Sequence, residues 1–219
     1  EIMANMDSAV ALLAEEGAVV ETVSLPVPVS AYRQVLSIIN WSESFSIHEE
    51  DFMQRHHLMG EALRGKMMAG FMVRAVDYIA AQRQRRSLAK STDATLAGFD
   101  VMITPTTRST APPFADQPAV VRYTASSVCS PFSISGHPAM AVPTGFDAAG
   151  MPTSAQIVGH YFDEATIYRV ARALDHAMPA RPRLPECHPP RQRAARSTAR
   201  AAHCLPAAPA ARRRCTAHA

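Results

Sequence analysis

The chain has 219 residues, of which 47% are hydrophobic, and a formal net charge of +3. This length is sufficient for one sizeable folded domain. No run of roughly 18 apolar residues is present, so we expect no transmembrane helix. Residues 1–7 have neither a basic start nor an apolar stretch and do not resemble a signal peptide. Because the first residue is not methionine, we expect the natural start to lie upstream.

The charge is divided unevenly along the chain. Residues 1–179 contain 13 Lys and Arg against 18 Asp and Glu, a net charge of −5, whereas residues 180–219 contain 9 Arg against 1 Glu, a net charge of +8. The basic character belongs to the last segment, so we expect no nucleic-acid partner. Cys129 is the single cysteine of residues 1–179, which suits a reducing cytosol and predicts a cytoplasmic protein.

The first hundred residues are predicted to be mainly helical. Apolar residues at helical spacing predict a helix over 2–16, and a β-branched run predicts a strand over 18–25. Residues 30–98 contain no proline, which favours two or three helices. The last of these is expected over about 71–96, with Val76 and Ile79 on its apolar face.

Strands are predicted in the second half of the chain. An apolar run over 100–105, stopped by a proline, predicts a strand buried on both faces of a parallel sheet. A loop is expected over 106–121, and further strands over 137–143 and 153–159. The order of elements predicts an α/β fold, a mixed sheet flanked by helices.

The clearest helix start is at Asp163, whose carboxylate can cap the amide of Ala165 or Thr166. Phe162 and Ile167 flank this position at the spacing of a hydrophobic staple. We therefore expect a helix from this point to about residue 178.

The last 40 residues differ in kind from the rest. Residues 180–219 contain 12 Ala, 9 Arg and 6 Pro and have no periodic apolar face. Such a composition predicts disorder. It is also what a GC-rich gene yields when read out of frame, so we hypothesise that the native reading frame is lost near residue 180. The predicted division is a domain over 1–179 and a disordered tail over 180–219.

Three segments, taken together in order and spacing, resemble the amidase-signature family. Residues 104–106 read Thr-Pro-Thr at the end of a predicted strand. Residues 130–143 are similar to the family's Pro-Phe-Asn, Gly-x-Pro-Ala and Val-Pro pattern, and residues 150–166 resemble the segment that follows it. The resemblance covers about residues 70–178 and implies the C-terminal portion of the amidase-signature fold.

The resemblance implies hydrolysis of a carbon–nitrogen amide bond by a Ser–cis-Ser–Lys mechanism, without metal or organic cofactor. In that chemistry a neutral lysine activates serine, and backbone amides of a Gly/Ser-rich loop stabilise the oxyanion. The two lysines here, Lys66 and Lys90, fall in predicted helices, and no two glycines are adjacent. We therefore assign no catalytic residue to this chain, expect the triad upstream of it, and predict that the chain alone is inactive.

The resemblance also implies that loops near the C-terminal strands line the acyl pocket for a small-molecule amide. The candidate pocket residues are Thr104, Cys129 and Ser133. The plainer interpretation is that Thr104 merely ends a strand and that Cys129 is a small core residue. The family resemblance is compatible with a homodimer.

Two alternative functions stay open. The first is an A-type amidotransferase subunit of the same family, which would act on a transfer-RNA-linked substrate with partner subunits. Glutamine-specific subunits carry an acidic residue where Ser126 and Ser127 stand here, which favours a general amidase. The second alternative is a non-catalytic α/β module or pseudogene product.

Other candidate sites are better explained as structure. Residues 48–57 are rich in His, Glu and Asp, but they lack a metal-binding spacing and are interpreted as a solvated charged face. His137 precedes Pro138 and is interpreted as a strand-entry residue rather than a catalytic base.

Overall fold

The computed structural model describes residues 1–178, so the predictions for the tail fall outside the described residues. The chain begins with four α-helices and a first strand: α1 (Ile2–Glu15), α2 (Val29–Arg55), α3 (Glu61–Met72), α4 (Ala75–Leu96) and β1 (Val101–Pro105). A short 3-10 helix, His56–Leu58, separates α2 from α3. The remaining elements are α5 (Gln117–Ala125), α6 (Ser130–Ser135), β2 (Ala139–Phe146), β3 (Pro152–Gly159) and α7 (Glu164–Ala177).

The strands form a three-stranded sheet in the order β1-β3-β2. Both pairings are antiparallel, with Ile103 opposite Ile157 and Val142 opposite Ala155. The predicted α/β class and the positions of the three strands are confirmed, but the predicted parallel pairing of β1 is wrong. An apolar run indicates burial of a strand and carries no information on its direction.

Two layers of apolar side chains enclose the sheet because successive residues of a strand point to opposite faces. Ile157 of β3 packs with α1 and α7, through a cluster that includes Leu13 and Leu174. Val158 packs on the other face with Leu96 at the end of α4. A third cluster joins α2, α4 and α6 beside the sheet: Tyr32, Val35, Ile39, Ala81, Leu88 and Ile134.

Two predictions for the first hundred residues are corrected. Residues 18–25 form no strand, and Val19 is 89% exposed. A β-branched run needs a neighbouring strand to pair with, and the described residues supply none there. Val76 and Ile79 of α4 are exposed, whereas Leu88 and Thr92 are buried. The buried face follows the packing against α2, where the Tyr32 hydroxyl lies 3.0 Å from Thr92 Oγ1.

The predicted loop over 106–121 contains the start of α5. The carboxylate of Asp116 accepts a hydrogen bond from the Ala119 amide at 3.0 Å and caps this helix. Pro118 is the second residue of α5. Backbone N–H groups in the first turn of a helix have no acceptor within the helix, so the missing N–H of proline costs nothing there. This Asp-x-Pro signal was present in the sequence.

The helix predicted from Asp163 is confirmed, since its carboxylate accepts the Thr166 amide at 3.3 Å. The predicted hydrophobic staple is wrong. Phe162 has a φ of 61° and is 95% exposed, whereas Ile167 is 2% exposed. The left-handed backbone at Phe162 directs its ring into solvent, and Ile167 packs with the sheet instead.

Within residues 1–178, no helix combines the length and the hydrophobicity that crossing a bilayer requires.

Candidate functional site

A buried glutamine, Gln156 of β3, connects the candidate pocket residue Thr104 with Val128, the residue that precedes the candidate Cys129. Its side-chain Nε2 donates to Thr104 Oγ1 at 2.9 Å and to the carbonyl of Val128 at 3.2 Å. Thr104 is the penultimate residue of β1, and Val128 immediately precedes Cys129. The structure therefore places Thr104 and the residues before α6 on either side of one amide group. Sequence reasoning did not single out Gln156, although it is the one long polar side chain in a buried apolar strand.

Cys129 stands at the N-terminal boundary of α6 and is partly buried. Its Sγ lies 3.6 Å from the carbonyl oxygen of Thr106, to which the Val128 amide also donates at 3.0 Å. The end of β1 and the segment before α6 are thus joined by backbone as well as by side chains. The interpretation of Cys129 as a small packed residue and its assignment to a pocket wall are both compatible with this position.

Ser133 lies one helical turn beyond Cys129 and is exposed. Its hydroxyl donates to the Cys129 carbonyl at 3.3 Å. Gly136 then ends α6 with a φ of 83°, a conformation that glycine adopts without strain. Cys129 and Ser133 are therefore adjacent, and Thr104 reaches them through Gln156.

Two arginines hold the segment that carries these residues. Arg33 of α2 donates from Nη2 to the Ser127 carbonyl at 2.8 Å, and Arg85 of α4 donates from Nε to the Ile134 carbonyl at 3.0 Å. Charged donors make stronger hydrogen bonds than neutral ones. Helices α2 and α4 therefore fix both ends of the candidate pocket segment.

His137 forms a set with Ser135 and Asp93 that has the composition of a catalytic triad. Its Nδ1 lies 2.8 Å from Ser135 Oγ, and its Nε2 lies 3.4 Å from Asp93 Oδ1. However, Ser135 is buried, and the ring of Tyr161 stacks on the imidazole at 4.1 Å. Burial lowers the pKa of His137, and the Asp93 carboxylate opposes that shift. A buried hydroxyl under a covered imidazole offers no approach for an acyl group, so the geometry favours a structural role.

The described residues hold no group of three His, Cys, Asp or Glu side chains arranged for a metal ion. In the charged run on α2, the Asp51 carboxylate pairs with Arg55, and its Oδ2 lies 4.0 Å from His48 Nδ1. These contacts run along the helix surface. A shallow cavity of about 310 Å³, lined in part by Glu1 and Arg108, contains none of the three candidate residues.

Over residues 1–168, the sequence matches the family described as Amidase. The chain belongs to the Amidase family. Among its relatives is the A-type subunit of the glutamyl-tRNA(Gln) amidotransferase of Lysinibacillus sphaericus, 36% identical over 137 residues. That alignment covers 58% of this chain and 27% of the relative. The chain thus spans about a quarter of the length of this curated relative.

Several solved structures share the fold of this chain. One is a vestigial protein complex that reveals the evolutionary origins of an s-triazine catabolic enzyme, with a TM-score of 0.74 and 24% identity. The superposition covers 84% of this chain and 41% of the chain in that structure. Another, described as an amidase, has a TM-score of 0.70 and 23% identity over 81% of this chain and 42% of its own. At these identities the likeness establishes the α/β architecture of the described residues.

Proposed function

We propose that this chain is the C-terminal part of an enzyme that hydrolyses a carbon–nitrogen amide bond through a Ser–cis-Ser–Lys triad located upstream. The observation that carries this proposal is the Amidase-family match over residues 1–168. Lys66 and Lys90 lie on α3 and α4, and neither is followed by a Gly/Ser-rich loop. The base and the nucleophile are therefore assigned to the preceding segment.

In the proposed reaction, the upstream serine hydroxyl attacks the amide carbonyl while its proton passes through the second serine to the neutral lysine. The tetrahedral intermediate collapses, the carbon–nitrogen bond breaks, and the amine leaves with that proton. Water then hydrolyses the acyl-enzyme and regenerates serine. Backbone amides of the upstream loop stabilise the oxyanion in both halves of the reaction.

This chain contributes one wall of the acyl pocket in the proposed enzyme, formed by Thr104, Cys129 and Ser133. The exposed Ser133 hydroxyl is the polar group best placed to meet a substrate, and the Cys129 side chain next to it adds a small, weakly polar surface. The substrate class is a small-molecule amide, the proposed compartment is the cytoplasm, and the proposed assembly is a homodimer.

The direct test compares this 219-residue chain with the product of the reading frame extended upstream. Both are assayed for release of amine from a panel of aryl, alkyl and amino-acid amides. We expect activity from the extended protein alone, and labelling of an upstream serine by a fluorophosphonate probe. Hydrolysis by the 219-residue chain, with a labelled serine in residues 1–178, would contradict the proposal.

The same panel includes glutamine, because one relative belongs to a glutamyl-tRNA(Gln) amidotransferase. Ser126 and Ser127 stand where glutamine-specific subunits carry an acidic residue, so we expect glutamine to be a poor substrate. Preferential hydrolysis of glutamine would instead favour the amidotransferase alternative.

Substitution of Ser133 tests the pocket assignment in the extended protein. Ser133→Ala removes a hydroxyl from the proposed wall, and loss of one neutral hydrogen bond corresponds to roughly a two- to tenfold change. We expect KM to rise by that factor while kcat changes little. Ser87→Ala is the matched control, since Ser87 is an exposed serine on α4 outside the pocket segment. Equal kinetics for both variants would remove Ser133 from the pocket.

A further inference from the structure

Gln156 is a buried amide in the central strand of the sheet. It is 3% exposed, and its neighbours Ala155 and Ile157 are both 0% exposed. An amide is placed in such surroundings at a cost unless its polar atoms are paired. An apolar side chain of the same length would fill the space without that cost, so the hydrogen bonds of Gln156 are the property that distinguishes it.

Those hydrogen bonds converge on two segments that are distant from Gln156 in sequence. On β1, Nε2 donates to Thr104 Oγ1 at 2.9 Å and approaches the Pro105 carbonyl at 3.4 Å. On the segment before α6, it donates to the Val128 carbonyl at 3.2 Å. One rigidly held nitrogen therefore fixes the spacing between the end of β1 and residue 128.

We propose that Gln156 is a positioning residue that sets the distance between Thr104 and the Cys129–Ser133 segment across the acyl pocket. The inference rests on the proposed function, because the pocket belongs to it. The Val128 amide and the Arg33 guanidinium hold the same segment independently of Gln156. Loss of the glutamine side chain therefore shifts the Cys129–Ser133 segment but does not detach it. We expect this shift to weaken substrate binding.

Two substitutions separate hydrogen bonding from packing. Gln156→Met keeps the length of the side chain and removes the donor. Gln156→Glu keeps the shape but directs a carboxylate at the carbonyl oxygens of Pro105 and Val128. Their mutual repulsion, added to the cost of burying a charge, makes the Glu variant the more disturbed of the two. A space-filling role alone would leave the Gln156→Met variant close to the parent, so that variant separates the two roles.

The first measurement is made on the 219-residue chain and needs no activity. Cys129 Sγ lies against the Thr106 carbonyl and is partly buried. Its alkylation rate by iodoacetamide, resolved by peptide mass spectrometry, reports the position of residues 128 and 129. We expect about a threefold or greater increase for Gln156→Met and a larger one for Gln156→Glu, as for loss of one neutral hydrogen bond. Gln82→Met is the control, because the partly buried Gln82 donates to the Tyr78 hydroxyl on α4 at 2.8 Å and forms no hydrogen bond with either segment.

The second measurement uses the extended protein. We expect Gln156→Met to raise KM by roughly three- to tenfold with little change in kcat. Thr104→Val removes the acceptor and leaves Gln156 in place, so it should raise the Cys129 rate and KM in the same direction. Both substitutions remove the hydrogen bond between Gln156 and Thr104. The increases in the Cys129 rate and in KM for the double variant should therefore be smaller than the product of the separate increases.

Each outcome decides a separate point. If Gln156→Met loses the folded state in a thermal melt, the Thr104→Val result stands in its place. An unchanged Cys129 rate in the folded variants overturns the proposed link, and an altered rate with unchanged KM overturns its role in the pocket. If the extended protein hydrolyses no amide, the proposed function fails together with that role, whereas the Cys129 rates still establish or refute the link itself.

Discussion

The imidazole of His137 is buried, and this burial favours its neutral form. Ser135 and Asp93 occupy its two nitrogens, and Tyr161 covers its ring. Burial outweighs the Asp93 carboxylate and holds the pKa of His137 below its ordinary value of 6.5, and the nearby His160 adds to this lowering. The unfolded chain therefore takes up a proton at a higher pH than the folded one does.

This environment predicts a pH dependence of stability. As pH falls below about 6.5, the unfolded state gains a proton that the folded state resists, so the free energy of unfolding decreases until His137 is protonated in both states. His137→Gln should flatten urea-unfolding stability in this window, whereas the exposed His57→Gln should keep the slope. Hydrogen bonds from Thr110 and Thr166 lower the pKa values of the Asp147 and Asp163 carboxyls, respectively. Their contributions to stability are therefore complete above a pH of about 3.8 and are lost only below it, as pH falls through the lowered pKa values. Parallel curves for parent and His137→Gln would contradict the assignment.

At the scale of helices, two glycines of α3 have opposite surroundings. A Cβ at Gly70 would lie 2.4 Å from the Trp41 carbonyl oxygen and 2.7 Å from Phe45 Cβ, whereas one at Gly65 would meet nothing within 4 Å. Gly70→Ala should lower the free energy of unfolding by about 1–3 kcal/mol, because α2 must move away. Gly65→Ala should raise it by roughly 0.5–1 kcal/mol through helix propensity. Urea unfolding of both variants measures these changes. Equal changes in the free energy of unfolding would contradict a close contact between Gly70 and α2.

The two capping aspartates should also differ. Asp163 begins α7, which buries Ile167 and Leu174, whereas Asp116 begins α5, which buries no residue. Asp163→Ala should lower the free energy of global unfolding by about 1 kcal/mol. Asp116→Ala should loosen α5 and change that free energy by less than roughly 0.5 kcal/mol, since surface elements contribute little to it. A larger loss from Asp116→Ala would show that α5 is part of the cooperative core.

Local signals in the sequence were sufficient for the elements that depend on near neighbours. The capping carboxylate at Asp163 predicted the start of α7, and apolar runs predicted the three strands. The direction of β1 and the absence of a strand at Val19 depend on partners far along the chain, which no local pattern encodes. Gln156 was missed for the same reason, since its acceptors at residues 104 and 128 come together only in the folded sheet.

At the scale of the whole molecule, the chain spans only part of the length of the proteins that it resembles. It covers 27% of one curated relative and 41% of a solved structure that shares its fold. The proposal places a domain portion over residues 1–179 and a segment outside the native reading frame over 180–219. In the proposed enzyme, the catalytic lysine and serines are encoded before Glu1.

The coding DNA upstream of the Glu1 codon, read together with the DNA around the codon for Ala180, tests this claim most directly. We expect an open frame that encodes a lysine and then a Gly/Ser-rich loop with two serines, and a frame change near residue 180. A start codon at or just before Glu1, preceded by an in-frame stop, would leave this polypeptide without the residues that the proposed amide hydrolysis requires, and would refute an upstream catalytic triad.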